Sequence, residues 1–326
     1  MQSIVTLVAC LIATANAARV VVFGGSGNIG GAVCKALVAK GHSVLSVSRS
    51  GTASLGPANL VGSQKSLRER YEGESWLTQV EWIEADAGVA GAALKALEGG
   101  QVEGVVSCIG SGTLLTPSSS SWIGNKWSEA QLKLYAKNYD PNVQAIAAAK
   151  AVGARRFVFL GVSSEADLGF AGTQPGLYTG KADVTTAARE TFGNDFIYVG
   201  PHAVVENDAD FGAKALDSVF GRGLVAVNKA IGKVATMGED FATTTSLTPP
   251  VALDDLGLVV AAVATGSLNV PVSERYSGMT IPSGMQWSEG GVEQVEQRFK
   301  MRHVDGTAAI KALAREASRG EVGGAA

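Results

Sequence analysis

Residues 23–31 read FGGSGNIGG, with five glycines between positions 24 and 31. Glycine in a regular element costs backbone entropy. Such a density therefore marks a turn that needs positive φ, or a backbone that something approaches closely. The run before it, Ala18-Arg19-Val20-Val21-Val22-Phe23, is mostly apolar and β-branched, the pattern of a strand buried on both faces. After it, Ile29, Val33, Ala36 and Leu37 fall at helical spacing, Gly41 stops the helix, and residues 42–48 supply a second strand. Gly24, Gly27 and Gly30 stand at the spacing G-x-x-G-x-x-G inside the strand-to-helix turn. Gly24 suits the tight turn, Gly27 lets a pyrophosphate touch the backbone, and Gly30 lets the helix lie against the strand. The N–H groups at the helix start then receive the anion. The expected ligand is a dinucleotide, held by Gly24, Ser26, Gly27, Asn28, Ile29 and Gly30.

The end of the second strand discriminates between dinucleotides. An NAD-binding unit carries an acid about 20 residues beyond its glycines, for the ribose 2′-hydroxyl. Here that place holds Arg49, between Ser48 and Ser50, and no acid occurs between Gly30 and Asn59. A guanidinium pairs with a 2′-phosphate that a carboxylate would repel. The reading favours NADP over NAD.

The alternation of apolar strands and helices continues. Strands are expected at 80–84, 104–109, 156–160 and 195–199, and helices at 91–97, 142–152 and 181–192. This pattern predicts an α/β fold, a doubly wound parallel sheet of Rossmann type with helices on both faces. Ligands of such sheets bind beyond the carboxyl ends of the strands. Asp86, Cys108-Ile109-Gly110 and Ser163-Ser164 are thereby placed on the cofactor side, Asp86 near the adenine. The expected organisation is a signal-like segment at 1–17, a nucleotide-binding domain at 18–205, a carboxy-terminal cap at 206–318 packed on it as part of the same unit, and a disordered tail at 319–326. The apolar residues of 211–236 suit a substrate cap or a peripheral membrane contact.

Composition narrows the function classes. A net charge of -3, without a long basic run, leaves no electrostatic footprint for nucleic acid. The three histidines and three cysteines match no zinc spacing, and Cys34 and Cys108 read as small buried residues. Residues 4–13 form an apolar stretch followed by Ala15-Asn16-Ala17, an A-x-A-like cleavage site, with no Lys or Arg before it. The stretch is short for a bilayer span. It reads as a signal for the secretory route, or as an uncleaved apolar tail.

The segments VVVFGGSGNIGGAVCKAL, VSRSG, VVSCIG, NYDPNVQAIAAAKAVGARRFVFLGVSS, YTGKADVTTA and SLTPPVALDDLGLVVAAVATG stand in one order along the chain. Together they resemble the atypical short-chain dehydrogenase/reductases. They are most similar to the NADPH-binding accessory subunit of respiratory complex I and to mitochondrial proteins of coenzyme Q biosynthesis, with plant organellar proteins also similar. The resemblance implies an organellar, mitochondrial setting, with a plastid behind the secretory route as the alternative. It further implies a role as a cofactor-binding component of a quinone-pathway or respiratory complex, or else as an NADPH-dependent reductase of a small carbonyl or quinone-type substrate.

In that family a Tyr donates the proton, a Lys four residues later holds the nicotinamide ribose, and a Ser after the fifth strand steadies the substrate oxygen. The resemblance implies Ser163 or Ser164, Tyr178 and Lys181 for these roles, with Lys181 also a cofactor ligand. The helix reads GLYTGK, so Tyr178 precedes Lys181 by three residues, not four. The two spacings aim a side chain about 100° apart on a helix. Gly200 stands before Pro201 where the family pattern has an arginine, and His202 is a second candidate donor. The stretch 111–138 is a longer connection than the resemblance leads one to expect. Its TPSSSSW run is polar, Ser128 and Gln131 suit a capping box, and Leu132, Tyr135 and Tyr139 share a helical face. It suits a lid, a partner-docking face, or a surface loop with a packed helix.

Overall fold

The computed structural model describes residues 18–51, 71–110, 122–123, 126–127, 129–164, 175–201, 204–205, 251–277 and 297–319. The valines and Phe23 of β1 (Arg19–Phe23) are all buried. It pairs in parallel with β2 (Ser43–Ser48) on one side and β4 (Val102–Ser107) on the other. β3 (Val80–Glu84), β5 (Arg156–Leu160), β6 (Phe196–Gly200), β7 (Val272–Ser277) and β8 (Gln297–Asp305) complete one eight-stranded sheet, in the order β3-β2-β1-β4-β5-β6-β8-β7. Only β7 runs antiparallel to its neighbour, β8.

Helices α1 (Asn28–Ala39), α5 (Leu253–Thr265) and α6 (Gly306–Arg319) cover one face, where Val20, Val22, Val33, Leu37, Leu256, Val260 and Ile310 form a single apolar layer. Helices α2 (Ala92–Leu97), α3 (Glu129–Ala151) and α4 (Pro175–Phe192) cover the other, over Val21, Phe23, Leu45, Val105, Phe157, Phe159 and Val184. Alternate residues of each strand serve opposite layers, as the two-residue period of a strand requires. The result is the expected doubly wound α/β sheet. Its strand order reverses between β1 and β4, and at such a switch point a crevice opens beyond the strand ends.

Two segments differ from expectation. Residues 129–151 form one helix, although Pro141 lies inside it. A proline there removes a donor from the ladder. On either side of it the Asn138 amide donates to Leu134 O at 2.7 Å and the Asn142 amide to Asn138 O at 2.7 Å. The Gln131 Oε1 accepts from the N–H of Gly176 at 2.9 Å and joins α3 to α4, while Ser128, the other half of the expected capping box, lies outside the described residues. Of the expected cap, the described residues 251–277 and 297–319 pack on the same unit as two strands and two helices that widen and cover the sheet, so the sheet does not end at residue 205. Arg319, expected in the tail, is the last residue of α6. The segment 1–17, residues 111–121, Ser128, His202, the cap residues 206–250 and the tail after Arg319 lie outside the described residues.

Candidate nucleotide site

The carboxyl ends of four strands are joined by backbone hydrogen bonds: Gly24 N–H to Val47 O at 2.8 Å, Cys108 N–H to Phe23 O at 2.9 Å, and Ala85 N–H to Ser48 O at 3.0 Å. Into this ledge the glycine turn is set. Gly24 has φ +79°, which favours glycine, and a Cβ there would stand 3.2 Å from Cys108 O. At Gly30 a Cβ would fall on the carbonyl oxygen of Gly24 and lie 2.7 Å from Gly25 Cα. Helix α1 therefore starts in direct backbone contact with the turn. Gly27 at its N-cap brings no capping side chain, and no acid stands in the first turn. Gly27 is exposed, Asn28 and Ile29 are half-buried, and Ser26 is buried.

The hydroxyls of Ser26 and Ser50 lie 3.1 Å apart, which ties the glycine turn to the loop after β2. Arg49 projects from that loop as an exposed side chain. Beside it the Ser48 hydroxyl is buried without a protein hydrogen-bond partner. A buried hydroxyl left unpaired is costly, and a ligand oxygen is a natural partner. Asp86 is exposed at the end of β3, where its Oδ1 accepts from Gly88 N–H at 2.9 Å and shapes the turn into α2. The exposed backbone at Gly27, the orphan Ser48 hydroxyl and the exposed Arg49 guanidinium fit a dinucleotide.

Beyond the switch point the catalytic candidates gather at the ends of β4 and β5. Lys181 Nζ donates to Leu160 O at 2.8 Å and lies 5.1 Å from the centre of the Phe159 ring. A Cβ on Gly110 would stand 3.4 Å from that Nζ and 3.6 Å from Asn138 Oδ1. Lys181 thus bridges the two strand ends, next to a buried asparagine. Ser163 is fully buried, with its N–H donating to Pro201 O at 3.0 Å. Ser164 is turned to Asp305, which accepts from both its N–H and its hydroxyl. Tyr178 shares α4 with Lys181, but its side chain is only 2% exposed. Of the two serine candidates, Ser164 is held by Asp305 and Ser163 is fully buried.

Sequence reasoning did not single out Asn142. Its Oδ1 accepts from Ser107 Oγ, and its amide reaches Ile109 O at 3.3 Å, so α3 is pinned to the end of β4. Cys34 is buried and Cys108 partly so. Burial pushes the Cys108 thiol up to about 12, against a smaller opposing pull from the Lys181 ammonium. It raises Cys34 as well. Both are poor nucleophiles at neutral pH.

Residues 20–175 match the model of the NAD dependent epimerase/dehydratase family. The matched residues take in the glycine turn, Arg49, Asp86, Asn142 and Ser163, and stop just before Tyr178 and Lys181. Over 260 residues, 77% of this chain and 72% of the other, the sequence is 29% identical to an uncharacterized chloroplastic protein of Arabidopsis thaliana. Among solved structures, the enzyme WbmG of Bordetella bronchiseptica in complex with NAD aligns at 15% identity and a TM-score of 0.40, covering 57% of this chain and 53% of that one. The chain thus spans about half the length of that enzyme. The oxidoreductase ylbE of Lactococcus lactis aligns at 16% identity and a TM-score of 0.40, covering 58% of this chain and 71% of that one. The family match and the turn geometry together support dinucleotide binding.

Proposed function

We propose that this chain binds NADPH in the manner of an atypical short-chain dehydrogenase and keeps it as a structural cofactor, as a component of an organellar quinone-biosynthesis or respiratory complex. The observation that carries the reading is the side chain of Tyr178. At 2% exposure it is packed inside α4's interface, whereas a proton donor must reach the substrate. Lys181, held at the ends of β4 and β5, is suited to the ribose hydroxyls with or without turnover. A ligand that binds only the folded state adds about 2.7 kcal/mol of stability at a hundred times its Kd. A nucleotide can therefore be retained for stability alone.

The competing reading, a reductase of a small carbonyl or quinone-type substrate, draws on Ser163, just past the end of β5, and Lys181, whose Nζ is bonded to Leu160 O at that end. A reduced nicotinamide would supply the hydride and Ser163 would hold the substrate oxygen, but Ser163, which is fully buried, and Tyr178 would both have to be uncovered. The two readings separate in one set of assays on wild type, Tyr178→Phe and Lys181→Met. We expect no NADPH oxidation by wild type against a panel of quinones, and clear thermal stabilisation by NADPH. Tyr178→Phe should keep that stabilisation and Lys181→Met should lose most of it. Turnover by wild type that both variants lose would establish the reductase instead.

Preference for NADPH is assigned to Arg49 with Ser48 and Ser50. Charge-assisted hydrogen bonds contribute about 1.5–3 kcal/mol each, so Arg49→Asp should lower the NADPH-to-NADH affinity ratio by roughly tenfold or more. Titration of both nucleotides by intrinsic fluorescence measures it, and an unchanged ratio would remove Arg49 from the site. As to place, the Arabidopsis relative is described as chloroplastic, which favours a plastid alongside the mitochondrial setting. Among the described residues no helix is long and apolar enough to cross a membrane.

A further inference from the structure

Arg275 on β7 is 2% exposed, yet it carries a guanidinium. Its Nη2 donates to Val162 O at 2.9 Å and to the Tyr198 hydroxyl at 3.0 Å, and its Cζ lies 4.1 Å from the centre of the Tyr198 ring. Its Nε stands 4.0 Å from Asp305 Oδ2. The Tyr198 hydroxyl also donates to Val162 O and accepts from Val162 N–H, each at 2.7 Å. Asp305, at the end of β8, accepts from Ser164 N–H at 2.9 Å and from Ser164 Oγ. Three side chains from three strands, Arg275, Tyr198 and Asp305, thus close on Val162 and Ser164, the two residues that flank Ser163.

The space is specified as tightly as the bonds. A Cβ on Gly161 would fall on the Tyr198 phenol, and one on Gly200 would lie 2.5 Å from Val162 O and 2.9 Å from Asp305 Oδ1. Position 200, where the resemblance leads one to expect an arginine, is glycine because this network fills the room a side chain would need. The guanidinium arrives from β7 instead.

We infer that Arg275 and Asp305 are positioning residues of the nucleotide site: they hold Val162 and Ser164 from a strand pair more than a hundred residues away in sequence, and so fix Ser163 at the end of β5. The inference rests on the dinucleotide reading, under which Ser163 lies toward the nicotinamide, beyond the switch point from the half that holds the adenine ribose. Burying a charge is costly unless it is paired; here Nη2 is held by Val162 O and the Tyr198 hydroxyl, and the Asp305 carboxylate 4.0 Å from Nε supplies the opposite charge.

The test compares a ligand that spans both halves with one that fills only the adenine half. Wild-type chain, Arg275→Met, Arg275→Lys and Asp305→Asn are titrated with NADPH and with 2′,5′-ADP, and the emission of bound NADPH is recorded. Arg275→Met and Asp305→Asn should weaken NADPH about tenfold and abolish its fluorescence enhancement, with 2′,5′-ADP bound within twofold of wild type. Arg275→Lys, which keeps the charge, should recover most of the NADPH affinity. Should Arg275→Met fail to fold, Asp305→Asn, which keeps the shape, gives the answer. Equal weakening of both ligands, or NADPH binding and emission left as in wild type, overturns the positioning role. A wild-type chain that binds neither ligand refutes the dinucleotide reading itself, and this inference with it.

Discussion

Gly30→Val should remove about 3 kcal/mol of folding stability, the upper end of the ordinary cost of overpacking, and abolish stabilisation by NADPH. The reason is the identity of the atoms a side chain would meet. A Cβ at this position falls on the Gly24 carbonyl and lies 2.7 Å from Gly25 Cα; neither is the far end of a flexible side chain. Helix α1 would have to lift from the turn, which carries its N-terminal N–H groups away from where a phosphate would sit. Gly27→Ala is the control for folding stability alone, since its Cβ would meet only Gly24 O, at 3.2 Å, whereas the position itself stands where the pyrophosphate is expected. Urea unfolding with and without NADPH measures both terms. A Gly30→Val protein within about 1 kcal/mol of wild type would mean that the turn is not packed as described.

The second large effect is expected at Asn142. Alanine there removes the acceptor of the Ser107 hydroxyl and the donors to Ile109 O and Asn138 O, all at a buried position. Leaving buried polar groups unsatisfied costs about 1–3 kcal/mol each. The groups share one site and will relax together, so the expected loss is about 3 kcal/mol by urea unfolding. The end of β4 carries Cys108 and Gly110 beside Lys181, and a freed Ile109 should also weaken NADPH. A variant as stable as wild type with unaltered NADPH binding would show that the Asn142 bonds are dispensable.

How far these positions could be read from sequence depends on the range of the interaction that defines them. The glycine turn, β3 and β5 are local patterns, and the structure places them where the pattern does: β3 at Val80–Glu84 and β5 at Arg156–Leu160. The local pattern predicts this helix only from residue 142, and its continuity from Glu129 through Pro141 to Ala151 comes from packing that the local pattern does not show. Asn142 itself looked like an unremarkable polar residue at a helix start. The Arg275–Asp305 pair has no local signature at all. It joins positions 30 residues apart across an antiparallel strand pair, and acts on a loop more than a hundred residues earlier. Polar Ser273, Glu274 and Arg275 in β7 also hide the strand, because it lies at the sheet's edge and only Arg275 of the three is buried.

Helix α5 lies so close on α1 that a Cβ on Gly257 would stand 2.7 Å from the Ala32 carbonyl. The apolar side of the first strand–helix–strand unit, with Val33 and Leu37, is sealed by residues that leave the ribosome more than two hundred positions later. Contacts of such long separation form slowly, and until they form the exposed layer invites aggregation. The nucleotide cradle is thus the earliest part of the sheet to be synthesised and among the last to be finished. A newly made chain must be shielded through that interval, and a dinucleotide that grips the finished cradle would act as a latch on the final step of folding.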